Sequence, residues 1–565
     1  MESGSLPPVL NDAGHEPDDG LGVPAARHEH EPVVRSGPRP AGLPTGRMDA
    51  VSEERHAGTG PDVAPEDWVR YASPAGRWVL LATVLGSGIA FLDGTVVNVA
   101  LPTVGQELGA GISTLQWVVN AYTLTLAGFL LLGGSLGDHY GRKRVFVVGV
   151  VWFAVASLLC GLAPNAAALV AARALQGVGA ALLTPGSLAI IEATFHPDDR
   201  GAAIGAWSGL SGVTTALGPF LGGWLVEAVS WRLIFFINLP LAAAVVWIAL
   251  RHVPESRDRS VAPGLDYPGA ALAALGLAGV IYALTDGPAR GWTSPVILAA
   301  GLGGVAALAA FLEVERRSRH PMLPLDLFRS RQFTAANLVT FVVYGALGGA
   351  LFLLPMQLQR VLGYSPLASG VALIPITVLM LLLSARAGRL SQRIGPRLPM
   401  TVGPLVVGAG LALLVRADGG ATYLGGVLPA VIVFALGLSL TVAPLTSTVL
   451  AAASTDHAGV ASAVNNDVAR AAGLFAVAVL PMAAGISGAG ALEPAGFSSG
   501  FRAAMLLAGG LCAGGGLLAF ATIRTIRRPG ETAEAKQRHE EHEPFMSCPV
   551  SGPPPRRAVA AAERR

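Results

Sequence analysis

Apolar runs of about twenty residues follow one another from residue 77 to residue 523, separated by short polar stretches and flanked by polar tails. Each run is near the roughly 20 residues that carry a helix across a hydrocarbon core about 30 Å thick. The pattern predicts spans over 78–100, 115–136, 145–163, 166–190, 202–226, 233–251, 267–285, 294–312, 333–355, 366–385, 398–416, 422–446, 460–484 and 501–523, fourteen in all. Backbone amides must be satisfied inside lipid, so runs of this length predict helices rather than the short alternating strands of a barrel. The chain reads as an all-α integral membrane protein. The pair at 267–312 is rich in Ala and Gly, and the third and fourth spans are divided only near Pro164.

Composition agrees. Of 565 residues, 52% are hydrophobic and 13% charged, about half the charge of a soluble globular chain. The charge collects in residues 1–76 and 524–565, which read as disordered tails. A net charge of +2 gives no reason to expect a nucleic-acid partner. Cys160, Cys512 and Cys548 form no disulfide framework. The chain starts polar, so the first span serves as an uncleaved anchor rather than a signal peptide. Of 39 basic residues only Lys143 and Lys536 are lysine, a usage expected of a GC-rich bacterial genome. The tails carry Arg27-His28-Glu29-His30 and Arg538-His539-Glu540-Glu541-His542. Such tracts can bind metal, but no Cys or carboxylate framework surrounds them, and no metal site is read there.

Lys and Arg in short loops set orientation. With the N-terminus cytoplasmic, the inner loops hold Arg142, Lys143, Arg144, Arg200, Arg251, Arg257, Arg259, Arg316, Arg317, Arg319, Arg329, Arg331, Arg386, Arg389, Arg393 and Arg397. The outer loops and their margins hold Arg232, Arg290, Arg360, Arg416 and Arg502. Both termini are therefore expected inside the cytoplasmic membrane. A repeat is also visible: Gly134-Ser-Leu-Gly-Asp138-His-Tyr-Gly141-Arg142-Lys143 after the second span and Gly388-Arg-Leu-Ser-Gln392-Arg-Ile-Gly395-Pro-Arg397 after the tenth. This divides the chain into a six-helix bundle at 77–252, an inserted helix pair with its loops at 253–332, and a second six-helix bundle at 333–523. Duplicated halves suit a transporter, because two similar bundles can rock about a site between them.

The Gly134–Arg144 loop resembles the signature loop between the second and third helices of the major facilitator superfamily. His139 stands where arginine is more usual. In such a loop Gly134 and Gly141 permit a tight turn, and Asp138 can pair with Arg142 or with the positive N-terminus of a helix from the other half. That second pairing would latch the cytoplasmic side shut; the plainer reading is a basic loop, with Lys143, that only fixes topology. Four further motifs narrow the resemblance. Leu92-Asp93-Gly-Thr95-Val-Val-Asn98-Val-Ala100-Leu101-Pro102 looks like the first-helix motif of drug:proton antiporters, and Arg173-Ala-Leu-Gln176-Gly177-Val-Gly179 their fourth-helix motif. Gly212, then Gly218-Pro219-Phe-Leu-Gly222-Gly223, resembles the fifth-helix antiporter motif. Trp231-Arg232-Leu-Ile-Phe-Phe-Ile-Asn238-Leu-Pro240 is similar to the entry into helix six in the fourteen-helix branch. The resemblance spans residues 78–523 and implies a major facilitator fold of the EmrB/QacA type, exporting amphipathic, often cationic compounds by proton antiport.

The buried charges can be read without that resemblance. A carboxylate inside a membrane helix costs about 2.5–3.5 kcal/mol on insertion scales, so Asp93 needs a partner or a task. It lies roughly 22 Å from the inner face, and Arg173 roughly 10 Å from the outer one, at 1.5 Å per residue. Both thus fall at similar depth, and Gln176 shares the helix face of Arg173. Asp93 is the candidate proton site; a structural buried pair is the alternative. Asp467 and Arg470 stand three apart and could neutralise each other, or Asp467 could be a second titrating or substrate-contacting carboxylate. Gln116, Asn120, Asn337, Gln357 and Asn466 could line a cavity or tie helices together. No Gly-rich nucleotide loop with Lys appears, so ATP is not the expected energy source and no cofactor is expected. No nucleophile–base set marks an enzyme. The expected partners are the bilayer, protons and a small-molecule substrate, with the chain monomeric unless accessory export proteins join it. The rival readings are a transporter of one metabolite (an amino acid, peptide, siderophore or self-made antibiotic) and a non-transporting receptor or scaffold.

Overall fold

The computed structural model describes residues 68–257, 266–318, 321–452, 458–487 and 493–524. The histidine clusters of both tails, and Arg259 and Arg319, lie outside these. The helices are α1 (Pro74–Glu107), α2 (Ile112–Tyr140), α3 (Arg142–Gly161), α4 (Ala166–Thr194), α5 (Pro197–Ala228), α6 (Leu233–His252), α7 (Tyr267–Arg290), α8 (Pro295–Arg317), α9 (Arg331–Arg360), α10 (Pro366–Ile394), α11 (Arg397–Arg416), α12 (Tyr423–Ala451), α13 (Ala458–Ala483) and α14 (Pro494–Thr522). Thirteen are long and apolar enough to cross a membrane. The fourteenth, α5, is 32 residues long but diluted by glycine and acidic residues. Most helices run past the predicted spans. The 34 residues of α1 extend about 50 Å, more than a hydrocarbon core needs. Their ends follow local chemistry: Ser73 caps α1 by accepting from Gly76 N at 3.0 Å, and Asn165 opens α4 by accepting from Ala168 N at 2.9 Å.

The helices alternate in direction, so the first and last described residues share one end of the bundle, here called the terminal end; the other is the distal end. Each half is knit by its own pairs, α2 and α3 on α4 and α1 on α5 in the first, α11 on α12 and α14 and α9 on α13 and α14 in the second. Pairing becomes close where glycine removes a side chain. A Cβ on Gly218 would stand 2.0 Å from Thr95 Oγ1, and one on Gly222 3.0 Å from Val96 O. Gly223 and Gly370 bring α5 against the start of α10, with Cβ positions 2.4 Å from Pro366 O and 2.1 Å from Pro219 O. Gly212 faces open space and packs against nothing. Of the fifth-helix motif, Gly218 and Gly222 thus seat α5 on α1 within the first half, Pro219 and Gly223 build a contact with the second half, and Gly212 does neither.

The inserted pair forms a helical hairpin. α7 lies against both α2 and α13, with Ala274 pressed on Gly128 and Trp117 Nε1 donating to Asp286 Oδ2 at 2.7 Å. α8 turns Leu298, Leu302, Val305 and Leu312 outward, as a lipid-facing helix must.

One apolar core runs through the second half and takes in the distal part of the first, from Leu92 to Ile112 with Trp231 and Phe235. A separate core, with Val79, Phe146, Ile190 and Phe195, fills the terminal part of the first half. Hydrogen bonds between the halves follow the same division. Gln116 Nε2 donates to Val477 O at 2.6 Å, Gln359 Nε2 to Val99 O at 2.8 Å, and Leu367 N to Glu227 Oε2 at 3.0 Å, all toward the distal end. Among the described residues no hydrogen bond or ion pair joins the two halves at the terminal end.

Candidate functional site

Asp93, in the middle of α1, is 1% exposed, and so is Arg173 of α4. Arg173 Nη1 donates to Asp93 Oδ2 in a buried ion pair. The same Nη1 donates to Gln176 Oε1 at 2.7 Å, one turn along α4, and Gln176 Nε2 returns a hydrogen bond to Asp93 Oδ1 at 2.9 Å. The guanidinium is fixed from behind by Nε to Val118 O at 3.0 Å and by the ring of Tyr122, 4.2 Å away on α2. Tyr122 in turn donates to Ala90 O of α1 at 3.1 Å. The charges of Asp93 and Arg173 cancel locally, which is what makes an ionised pair tolerable at this depth.

The cluster is wider than the sequence reading. Ser157 of α3 accepts from Gln176 Nε2 at 3.2 Å and from Asn238 Nδ2 at 3.0 Å, and donates to Phe235 O at 2.9 Å. Asn238 Nδ2 also reaches Asp93 Oδ1 at 3.2 Å. Asn238 is available because α6 breaks at Ile237, between a first turn at Leu233–Phe236 and the run Asn238–His252. Pro240 has no N–H to offer the Phe236 carbonyl, so the ladder is interrupted there. Cys160, three residues after Ser157 and on the same face, lies 3.5 Å from Gln176 Oε1. Asn238 had stood out only as part of a motif; Ser157 and Tyr122 carried no signal, since a serine or tyrosine in an apolar helix looks like any other.

The signature loop is a turn anchored within its own half. Gly141 has φ +110° and its repeat partner Gly395 φ +85°, the left-handed region that favours glycine, so the duplicated motif preserves one backbone conformation. Asp138 Oδ1 pairs with Arg142 Nε at 2.8 Å, and Arg142 Nη1 reaches Ala189 O of α4 at 3.4 Å. Lys143 Nζ donates to Val253 O at 2.8 Å, and its N–H to Glu255 at 3.1 Å. Of the two partners open to Asp138, this conformation uses Arg142; the contact with the other half is not made.

The remaining candidates do not assemble into one lining. Gln116 ties α2 to α13, Gln357 donates to Ala417 O at 2.7 Å, and Asn337 accepts from Asn465 Nδ2 at 3.0 Å; all three are buried helix ties. Asn120 is 0% exposed, with neither polar atom of its side chain partnered. Asn466 is exposed and bonds back to Ser462 O. Asp467 and Arg470 make no ion pair: Asp467 Oδ1 and Arg470 Nε are both buried and unpartnered. The spacing therefore does not produce a direct ion pair between them, although their charges still interact.

The family model described as Major Facilitator Superfamily matches residues 83–478. A puromycin resistance protein of Streptomyces alboniger is 38% identical over 437 residues, 77% of this chain and 84% of that protein. A multidrug resistance protein of Mycobacterium tuberculosis is 36% identical, covering 68% and 71%. A tetracenomycin C resistance and export protein of Streptomyces glaucescens is 35% identical, covering 71% and 74%. Among solved structures, a bacterial homologue of the lysosomal transporter Spinster superposes with a TM-score of 0.58 at 17% identity, over 80% of this chain and 98% of that one. A peptide-transporter family member bound to 5-aminolevulinic acid gives 0.61 at 12% identity, over 80% and 97%.

Proposed function

Because this chain belongs to the major facilitator superfamily, we propose that it is a proton-coupled antiporter exporting drugs or other small amphipathic compounds across a bacterial cytoplasmic membrane. The observation that carries the reading is the Asp93–Arg173–Gln176 cluster, an ionisable pair buried inside one half of a two-half bundle. A scaffold or receptor has no use for such a pair, whereas a coupling device needs one. The resistance and export proteins similar to this chain supply the substrate class. The proton gradient is the energy source, and no cofactor takes part.

The arginine-rich terminal end faces the cytoplasm. Among the described residues the halves are hydrogen-bonded at the distal end alone, which supports reading the present conformation as inward-facing. When the opposite conformation opens, a proton reaches Asp93, neutralises it and weakens its hold on Arg173. Return to the inward form releases that proton. A cationic substrate then serves as the neutralising charge, with Asp467 as a carboxyl group that it can meet on the second half. Exchange follows because one carboxylate cannot satisfy both positive partners at once.

Substrate-driven proton release from purified protein, followed by flux in proteoliposomes, tests this. Asp93→Asn should abolish proton-driven export while neutral substrates still bind. Wild-type coupling in that variant would move the proton site elsewhere, with Asp467 next. A second reading, export of one self-made antibiotic, is favoured by the Streptomyces glaucescens relative; everted vesicles offered a compound panel separate the two by breadth of substrate.

A further inference from the structure

Among the side chains bonded to Asp93, one buried polar atom has no partner. Asn238 Nδ2 donates to Asp93 and to Ser157, but Asn238 Oδ1 is buried with no donor. A buried carbonyl oxygen left unpaired is costly, so a group that persists in this form invites a second role. Protonation of Asp93 would create the missing donor. The new O–H needs an acceptor, and the neighbours have little to offer. Gln176 Oε1 already accepts from Arg173 and lies against Cys160, and Ser157 Oγ already accepts twice and donates to Phe235 O. Asn238 Oδ1 is the vacant oxygen.

We propose that Asn238 is a positioning residue that serves both protonation states of Asp93. Its amide nitrogen holds the carboxylate, and its amide oxygen, turned toward Asp93, accepts the hydrogen of the carboxylic acid. The proton arrives from water and bonds to a carboxylate oxygen; hydrogen bonds re-pair and no other covalent bond changes. An amide suits this task because it carries a donor and an acceptor on one rotatable plane. Its place at the broken turn of α6, beside Pro240, sets the amide against both Asp93 and Ser157. The other ionisable groups facing Asp93 are Arg173 from α4, Tyr122 from α2 and Cys160 from α3, with Arg470 of α13 near Tyr122; α5 and α6 contribute none.

The inference rests on Asp93 being the proton site, and the experiment keeps the two apart. Infrared difference spectra of the wild-type protein, with asparagine carrying carbon-13 in its side-chain carbonyl, provide a readout that needs no variant to fold. An amide carbonyl band should shift as the site titrates, and the shift should vanish in Asp93→Asn. A wild-type spectrum without the band shift, or a band shift that survives in Asn238→Ala, overturns the role of Asn238 while leaving the proton site standing. Unchanged coupling in Asp93→Asn overturns the proton site itself.

Discussion

Arg173 and Asp93 are each tolerable in the bilayer only while the other is present. Arg173→Leu should cost about 3–5 kcal/mol, since it leaves an uncompensated buried charge. Adding Asp93→Asn to it should restore most of that stability, because the stranded charge is gone. Thermal unfolding in detergent of the two single variants and the double variant measures the difference. Ser157→Ala is expected to cost about 1–3 kcal/mol by the same assay, as it removes the oxygen on which Gln176 and Asn238 converge. The charged members of this cluster were legible in the sequence, because charge inside an apolar run is rare and demands an explanation. Ser157 and Tyr122 were not, since their roles depend on which helix faces which. Asp467 and Arg470 show the opposite failure: spacing of three on one helix permits a pair but does not aim the side chains at each other.

Within single elements, glycine decides how closely helices approach and which turns can form. Gly370→Leu would drive a side chain into the Pro219 carbonyl and should pry α10 from α5. In a background free of other cysteines, a cysteine replacing buried Val99 should then become reactive toward a thiol reagent, while it stays silent with Gly370 intact. Gly141→Ala should be the more damaging of the two repeat-glycine substitutions. Both positions force positive φ on an L-residue, at about 1–2 kcal/mol, but a Cβ on Gly141 also meets Glu255 at 2.6 Å. Detergent thermostability of Gly141→Ala and Gly395→Ala compares them. Thirteen helices announced themselves by apolar length. α5 was legible from the same pattern of apolar runs, although its composition is less apolar. The break in α6 could have been anticipated from Pro240, but the use made of it could not.

At the scale of the molecule, the halves and the inserted hairpin follow from the duplicated loop. The docking of α7 against both α2 and α13 did not, since nothing in an Ala/Gly-rich run names its neighbours. Orientation can be checked directly. Cysteines replacing Gly109 or Gly291 should react with an impermeant thiol reagent added to whole cells, and one replacing Pro324 should react only after permeabilisation. External labelling at Pro324 would reverse the assignment of the terminal end to the cytoplasm.

The sparse bonding of the distal seam has a consequence in electrical work. Three bonded sites hold it, at Gln116, Gln359 and Leu367, and such bonds contribute about 1 kcal/mol each, so they resist opening by about 3 kcal/mol. One elementary charge moving through the membrane potential delivers about 2.3 kcal/mol per 100 mV. The polar clasp is therefore comparable in size to the work of moving one or two charges across the membrane, and the apolar core that crosses the same seam adds its own resistance to opening.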